Sequence, residues 1–119
     1  MDHGFRFRWK EHLKGRDEIR GAFKRGKVVS CSGAKLFIIK NKLPHNRIAF
    51  TFARKFGNAV ERNRARRVSR EAYRLQRNTL KTGFDLVLLI YPGKDVFNIR
   101  MEQLGILFSK ADIGLKTSC

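Results

Sequence analysis

The side chains best suited to chemistry lie between Arg54 and Arg77, where arginines recur at the spacing of a helix. Since each helical residue advances by about 100°, six arginines share one broad arc with Asn63: Arg62, Arg66, Arg67, Arg70, Arg74 and Arg77. Planar guanidinium groups bind phosphate oxygens through two parallel hydrogen bonds, which suits phosphate recognition better than general solubility would require. The arc therefore predicts a surface that binds a polyanion.

A solvated charged face is the alternative interpretation of the same arc. Such a face usually mixes charges of both signs, because opposite charges one turn apart stabilise a helix. Here only Glu61 and Glu71 accompany seven arginines, so the repulsion between like charges is left largely uncompensated. This imbalance favours a polyanionic partner.

Groups that could catalyse phosphodiester cleavage are not clustered in the sequence. Protein nucleases usually need grouped carboxylates for metal ions, or a histidine pair for acid and base work. The candidate acids and bases are scattered along the chain: His3, His12, His45, Asp17, Glu18, Asp85 and Asp95. The polypeptide is predicted to bind rather than to catalyse, although an RNA partner could carry out the chemistry.

Length and charge indicate one folded, basic domain over residues 1–119. Lys and Arg number 27 against 10 Asp and Glu, which gives a formal charge of +17, and the 42% of hydrophobic residues argues against disorder. Such a charge implies salt-dependent attraction to nucleic acid or, as the weaker alternative, to an anionic membrane.

The cysteines and the apolar segments bear on the compartment. Cys31 and Cys119 have no partner at metal-ligand spacing, so neither a zinc site nor a disulfide framework is predicted, and a reducing cytoplasm fits best. No apolar run approaches the roughly 20 residues of a membrane span. The first ten residues lack the apolar core of a secretory signal.

The element that carries the arginines has a clear predicted start. Asn58 followed three residues later by Glu61 has the form of a helix N-terminus, so the helix should begin near Ala59. Its narrow apolar stripe, which would pack on a sheet, consists of Ala65, Val68, Ala72 and Leu75.

The remaining patterns predict an α-β-β-β-α-β-α order and an α+β sandwich. Asp17 is the expected cap of a first helix that ends at Gly26, and Asn98 the expected cap of a last helix carrying Met101, Leu104, Phe108 and Ala111. The predicted strands are Val28–Ser30, Lys35–Lys40, Arg47–Ala53 and Phe84–Ile90, the last apolar enough to be covered on both faces.

The strand Arg47–Ala53 alternates between two kinds of side chain. Ile48, Phe50 and Phe52 should face the core, while Ala49, Thr51 and Ala53 share the other face. From periodicity alone that small face is interpreted as a lightly packed outer surface, with room for a ligand as the alternative.

The two ends of the chain are predicted to lie outside the sandwich. Residues 1–15 form a basic and aromatic arm, whose Phe5, Arg6, Phe7, Arg8 and Trp9 could stack on bases and contact phosphates. An extended segment that pins Phe7 or Trp9 to the core would look the same in sequence. Residues 112–119 are expected to form a loose tail.

From Ala53 to Arg74 the sequence ARKFGNAVERNRARRVSREAYR resembles the signature of the bacterial ribonuclease P protein subunit, with its G-N-A-V-x-R-N-R-x-x-R core. The similarity extends through AFKRGK at residues 22–27 and GFDLVLLIYPG at residues 83–93. This resemblance implies a ribosomal-protein-like sandwich with a four-stranded mixed sheet and a left-handed βαβ crossover, where sequence rules alone would give a right-handed one.

The resemblance also implies two binding sites. Contacts with the catalytic RNA are expected at Lys55, Asn58, Arg62, Asn63, Arg64, Arg66, Arg67 and Arg70. Arg64 projects toward the edge of the apolar arc, where packing, Glu61 or Glu71 could hold it. A cleft for the single-stranded 5′ leader of precursor tRNA is expected at Phe23, Phe37, Ala49, Thr51, Ala53 and Arg54, which reverses the interpretation of the small strand face.

Some positions depart from the family pattern. Ile19 replaces a common phenylalanine, Ala49 a usual glycine and Ala53 a common serine. Ile90 and Tyr91 stand where a basic pair often follows the strand. Tyr91 could replace charge with stacking or could simply close the core.

The implied activity is removal of 5′ extensions from precursor tRNA by an RNA-based holoenzyme. The RNA subunit would catalyse with Mg²⁺, and the protein would bind no metal of its own, no membrane and no protein partner. The alternative is a general or ribosomal RNA-binding protein without a role in processing.

Overall fold

The computed structural model describes residues 11–93 and 96–114, in which three helices and four strands follow the predicted order. Their bounds are α1 Arg16–Arg25, β1 Lys27–Cys31, β2 Ala34–Lys40, β3 Arg47–Phe52, α2 Ala59–Gln76, β4 Phe84–Ile90 and α3 Phe97–Ala111. A short 3-10 turn, Arg77–Thr79, follows α2. Hydrophobic periodicity thus located every long element, with small shifts at the ends.

The four strands form one mixed sheet in the order β1-β2-β4-β3. β2 pairs antiparallel with both β1 and β4, whereas β3 runs parallel to β4, so α2 is the crossover between two parallel strands. The predicted four-stranded mixed sheet and α+β class are confirmed, and the left hand of the crossover stays a prediction. β4 lies inside the sheet, which explains its continuous apolar run.

Apolar side chains alternate along the strands and form a core on each face of the sheet. The larger core includes Leu36, Leu86 and Leu88 from the strands with Tyr73 of α2 and Leu104 of α3. The smaller core comprises Leu13, Ala22, Ala49 and Val87. The sheet therefore separates α2 and α3 from α1.

The buried side of α2 differs from the predicted stripe. Ala65 and Ala72 are buried as expected, but Ser69 and Tyr73 are buried too, and Leu75 is 49% exposed. The Tyr73 ring meets Phe108 of α3 with centroids 6.4 Å apart. Packing against a second helix sets this contact line, and helical periodicity within α2 carries no information about that helix.

Two predicted helix caps are wrong by position. α1 begins after Gly15, whose carbonyl accepts the first intrahelical bond from Ile19 N–H at 2.9 Å, so Asp17 lies in the first turn instead. α3 begins after Val96, whose carbonyl accepts from Arg100 N–H at 3.0 Å, and Asn98 lies inside the helix. Gly26 ends α1 as predicted.

Part of the predicted N-terminal arm is packed against the sheet. His12 forms a parallel bridge with Ile48 of β3, and Leu13 N–H donates to the Ile48 carbonyl at 3.0 Å. Glu11 accepts from Arg77 Nη1 at 2.6 Å, and both side chains are only 10% exposed. Phe7 and Trp9, like the rest of residues 1–10, lie outside the described residues.

The expected loose tail does not hold for residues 112–114. Asp112 adopts a left-handed conformation with φ 59°, which turns the chain after α3. Ile113 is then buried, its carbonyl accepts from Lys81 N–H at 2.7 Å, and Gly114 forms a bridge with Leu80. Residues 115–119 lie outside the described range.

Candidate nucleic-acid interface

The N-terminus of α2 is built by a capping box. Asn58 Oδ1 accepts from Glu61 N–H at 2.9 Å, and Glu61 Oε1 accepts from Asn58 N–H at 3.1 Å, which confirms the predicted start. The box fixes the first turn, from which Arg62 and Asn63 project. The positive end of the helix dipole adds to the attraction for phosphate at this place.

The loop that enters α2 is anchored by Phe56. Its side chain is buried, its ring lies 4.9 Å from that of Phe52, and its N–H donates to the Ala53 carbonyl at 3.1 Å. Lys55 is held in the left-handed region at φ 64°, an uncommon conformation for a residue with a side chain. Arg54, Lys55 and Asn58 are exposed around this anchor.

The arginine face, as the term is used below, comprises Arg62, Asn63, Arg64, Arg66, Arg67 and Arg70. The first three and Arg67 are exposed, while Arg66 and Arg70 are partly buried at its flank. Within the described residues, the guanidinium groups of Arg62, Arg64 and Arg67 have no hydrogen-bond or ion-pair partner. Three uncompensated guanidinium groups therefore project from two turns of one helix.

Arg66 is oriented by two neighbours. Its Nη1 donates to Asn63 Oδ1 at 2.9 Å, and its guanidinium carbon lies 5.1 Å from the centre of the Phe52 ring. A cation over an aromatic face is attracted by the negative ring surface. The two contacts hold the Arg66 side chain before any ligand arrives.

Other predicted contacts of the arginines differ in the structure. Arg77 belongs to the 3-10 turn and is engaged in the buried pair with Glu11, so it does not extend the arginine face. Arg74 Nε donates to Glu71 Oε1 at 3.0 Å, and this contact lowers the pKa of Glu71. Since Glu61 caps the helix and Glu71 holds Arg74, neither carboxylate holds Arg64.

The opposite face of the sheet carries the predicted aromatic pair. Phe23 of α1 and Phe37 of β2 meet edge to face, with ring centroids 4.7 Å apart at 71°. Phe37 aligns across the strands with Val87 and then with Ala49. Ala49 is buried in the smaller core with Ala22 of α1, so it supports this surface from below and is not an open floor.

A second row of residues on the same face of the sheet lies two positions along the strands from Phe37, Val87 and Ala49. Lys35, Leu89 and Thr51 align across β2, β4 and β3, and none of them belongs to the smaller core. Thr51 Oγ1 donates to the Leu88 carbonyl at 3.0 Å, and Ala53 N–H continues the strand ladder to Ile90. With the Phe23 and Phe37 pair and the exposed Arg54, this row forms what we term the aromatic groove.

Two further residues lie at one end of the aromatic groove: Lys35, which was not predicted there, and Tyr91, for which stacking was one of two predicted alternatives. Lys35 Nζ lies 6.0 Å from the centre of the Tyr91 ring, and Tyr91 is only partly buried, so its ring does not close the core. The alternation of β2 already placed Lys35 on the same face as Phe37. No signal in the sequence brought Tyr91 beside it.

Residues 11–93 and 96–114 also bear on metal binding and membrane insertion. No group of three His, Cys, Asp or Glu side chains there is arranged to hold a metal ion. No helix in the same ranges combines the length and apolarity of a bilayer span.

Comparisons with known proteins converge on one family. The family model described as Ribonuclease P matches residues 7–111. The ribonuclease P protein component of Alkaliphilus metalliredigens is 35% identical over 81 residues, covering 68% of this chain and 73% of that protein. The counterpart from Borrelia duttonii is 40% identical over 88 residues, covering 73% and 77%.

Solved structures show the same architecture. The RNase P protein from Thermotoga maritima aligns with a TM-score of 0.73 at 29% identity, covering 84% of this chain and 96% of that one. The Staphylococcus aureus RNase P protein aligns with a TM-score of 0.78 over 87% and 97% of the two chains, and at 20% identity it supports the fold alone.

Proposed function

Since this chain belongs to the ribonuclease P protein family and is a protein component of that enzyme, we propose that its two faces divide the binding work. The arginine face binds the ribonuclease P RNA, which family membership makes its partner. The aromatic groove holds the 5′ leader of precursor tRNA. The observation that carries this proposal is that the sheet separates the helix bearing the exposed Arg62, Arg64 and Arg67 from an aromatic pair on its other face.

The arginine face is suited to a folded RNA. The guanidinium groups of Arg62, Arg64 and Arg67 have no partner to give up among residues 11–93 and 96–114, and each can chelate a phosphate. Lys55, Asn58, Asn63, Arg66 and Arg70 surround them in the proposed contact. Phosphate contacts of this kind fix orientation without reading sequence.

The aromatic groove is suited to a single strand. Bases that stack on Phe23 and Phe37 would gain about 1–3 kcal/mol each and tolerate many sequences. Thr51 and Ala53 are small enough to leave room above the strand, and Ala49 supports them from beneath α1. Arg54 and Lys35 are placed at its margins for the leader phosphates.

The proposal assigns catalysis and its Mg²⁺ ions to the RNA subunit. Residues 11–93 and 96–114 contain no group of three His, Cys, Asp or Glu side chains that could hold Mg²⁺. The protein neutralises phosphate repulsion, which lowers the demand for Mg²⁺, and its leader contacts favour precursor over product. A cytoplasmic location accompanies the proposal, supported by the free Cys31 thiol.

Processing at low Mg²⁺ tests the subunit role. A precursor tRNA is incubated with the ribonuclease P RNA of the same organism, with and without this protein, and with the protein alone. Cleavage is expected only when RNA and protein are both present. RNA binding without stimulation would support a general RNA-binding protein, an alternative that nothing in the structure favours.

Salt dependence tests the arginine face. The double variant Arg62→Ala/Arg67→Ala should bind the RNA more weakly and shift the slope of log K against log salt by nearly two counterions. Lys40→Ala removes an exposed cation at the end of β2 and serves as the control. An unchanged slope in the double variant would show that the arginine face does not contact the RNA.

Leader dependence tests the aromatic groove. Phe23→Ala and Phe37→Ala should weaken binding of a precursor with a long leader while leaving the mature tRNA unaffected. Equal losses for the two RNAs would exclude the groove as the leader site.

A further inference from the structure

α1 has a thin apolar contact with the sheet, although it carries one half of the aromatic pair. Its fully buried residues are Gly21 and Ala22, both small, and no side chain caps its N-terminus. Its C-terminal end is close to β2, since a Cβ on Gly26 would lie 3.0 Å from the Ile38 carbonyl oxygen. At the other end the partly buried Ile19 packs against the smaller core, and a polar attachment is added.

That attachment is a chain of charged groups that starts inside the sheet. The buried Asp85 of β4 accepts from Arg47 Nε at 2.8 Å and from Arg47 Nη2 at 2.7 Å. Asn41 Nδ2 donates to the same carboxylate at 2.9 Å. Arg47 Nη2 also donates to Glu18 Oε2 of α1 at 2.8 Å, so one guanidinium joins two strands to the helix.

The two halves of this clamp, Asp85–Arg47–Glu18, differ in accessibility. The Asp85 side chain is 8% exposed and that of Arg47 22%, whereas Glu18 is 45% exposed. A bidentate pair with a buried carboxylate fixes the direction of the guanidinium fork. The hydrogen bonds that Arg47 donates to Asp85 and Glu18 both raise the pKa of Arg47, so the fork stays charged.

The clamp and the Gly26 contact lie on either side of Phe23 along α1. Glu18 precedes Phe23 by five residues, about 7.5 Å along the helix axis, and Gly26 follows it. Without the clamp, the first turn of α1 would be held by Ile19 and by the Leu13–Ile48 hydrogen bond alone, and the helix could shift over its small apolar contact. Such a shift would change the distance between the Phe23 and Phe37 rings.

We propose that Arg47 is a positioning residue for the leader site, holding α1 through Glu18 so that Phe23 and Phe37 keep the spacing that accepts a base. The inference rests on the proposed role of the aromatic groove. The inference does not require Arg47 or Glu18 to contact RNA.

The test uses the holoenzyme with Glu18→Gln and the matched control Asp17→Asn. Both variants remove one carboxylate charge from the first turn of α1, but only Glu18 contacts Arg47. The measured quantity is the ratio of affinities for a long-leader precursor and for mature tRNA. Glu18→Gln should lower this ratio about threefold, in the range of exposed ion pairs, with mature tRNA binding equal to that of the control.

A double-variant cycle adds a second readout. Arg47→Lys keeps a charge for Asp85 but loses the fork that bridges Asp85 and Glu18. Arg47→Lys should lower the ratio of precursor to mature tRNA affinity as much as Glu18→Gln does. The double variant should lower this ratio no further. Should Arg47→Lys fail to fold, Glu18→Gln decides alone, because Glu18 is exposed.

The outcomes separate this inference from the function on which it rests. A ratio in Glu18→Gln equal to that of Asp17→Asn overturns the clamp, provided that Phe23→Ala and Phe37→Ala lower the ratio. If the phenylalanine variants also leave the ratio unchanged, the leader groove itself is wrong. Selective loss in Glu18→Gln and in the phenylalanine variants supports both.

Discussion

Ser69 is a polar residue on the buried side of α2, and its hydroxyl has no hydrogen-bond partner in the described structure. A buried hydroxyl without a partner destabilises the fold by about 1 kcal/mol or more. Ser69→Ala should therefore raise the free energy of unfolding by about 1 kcal/mol in urea titrations.

The exposed Ser109 in α3 supplies the control for helix propensity, which by itself favours alanine by a few tenths of a kcal/mol. If Ser109→Ala stabilises the protein as much as Ser69→Ala does, the buried hydroxyl carries no penalty of its own.

Phe52 is expected to affect RNA binding without carrying a charge, because its ring lies beneath the Arg66 guanidinium. Phe52→Leu should weaken binding of the ribonuclease P RNA about two- to fivefold, from a cation–π contact of about 0.5–1 kcal/mol. The slope of log K against log salt should stay the same, since every cation remains. A change in the slope equal to that of Arg66→Ala would show that Phe52 acts by some other route.

At the scale of elements, the capping box orders the first turn of α2 and therefore the positions of the side chains that project from it. Asn58→Ala should cost about 1 kcal/mol of stability and weaken RNA binding, because a frayed first turn disperses Arg62 and Asn63. Asn58→Ser restores a capping oxygen and should recover both properties, as measured by urea unfolding and RNA titration. Recovered stability with unrecovered affinity would mean that the Asn58 amide itself contacts RNA.

The position of His12 at the edge of β3 predicts a stability that depends on pH. Burial lowers the pKa of His12 from its ordinary value of 6.5, and the charges of Arg70 and Lys14 act in the same direction, with Glu11 opposing. The unfolded chain then binds the proton more tightly, so stability is lost as pH falls below about 6.5 and gained as pH rises.

Urea unfolding between about pH 7.5 and pH 5 measures this effect against a His12→Gln variant. The wild-type protein should lose more stability on acidification than the variant does. Parallel curves for the two proteins would assign the pH dependence to other groups.

An element could be predicted from the sequence when the residues that determine it are neighbours along the chain. The Asn58 and Glu61 box, the β4 run and the end of α1 at Gly26 follow from neighbouring residues, and the structure agrees. The α2 contact with Phe108 and the Lys35–Tyr91 pair join residues far apart in sequence. No periodicity within one element encodes such pairings.

The candidate sites divide in the same way. The arginines of α2 were evident from charge and spacing, whereas the aromatic groove followed only from the family resemblance. Periodicity alone favoured a plain outer surface for Ala49, Thr51 and Ala53. Burial of Ala49 beneath α1 depends on where a separate helix docks, which the strand pattern does not specify.

At the scale of the whole molecule, the sheet lies between the two proposed binding faces. Effects of Arg67→Ala and Phe23→Ala on holoenzyme affinity for precursor tRNA should therefore add, within about 0.5 kcal/mol, in a double-variant cycle. Each single variant also serves as the control for the other. A larger coupling energy would mean that one RNA surface contacts both faces.

The place of β4 in the sheet also limits when a nascent chain can fold. β4 lies between β2 and β3 but follows both in sequence, so β3 has no neighbouring sheet strand until Phe84–Ile90 has left the ribosome. The β1–β2 hairpin can form early, whereas the apolar face of β3 stays open through the synthesis of all of α2. Completion of the sheet is thus one late folding step, and until then β3 is a target for chaperones or for aggregation.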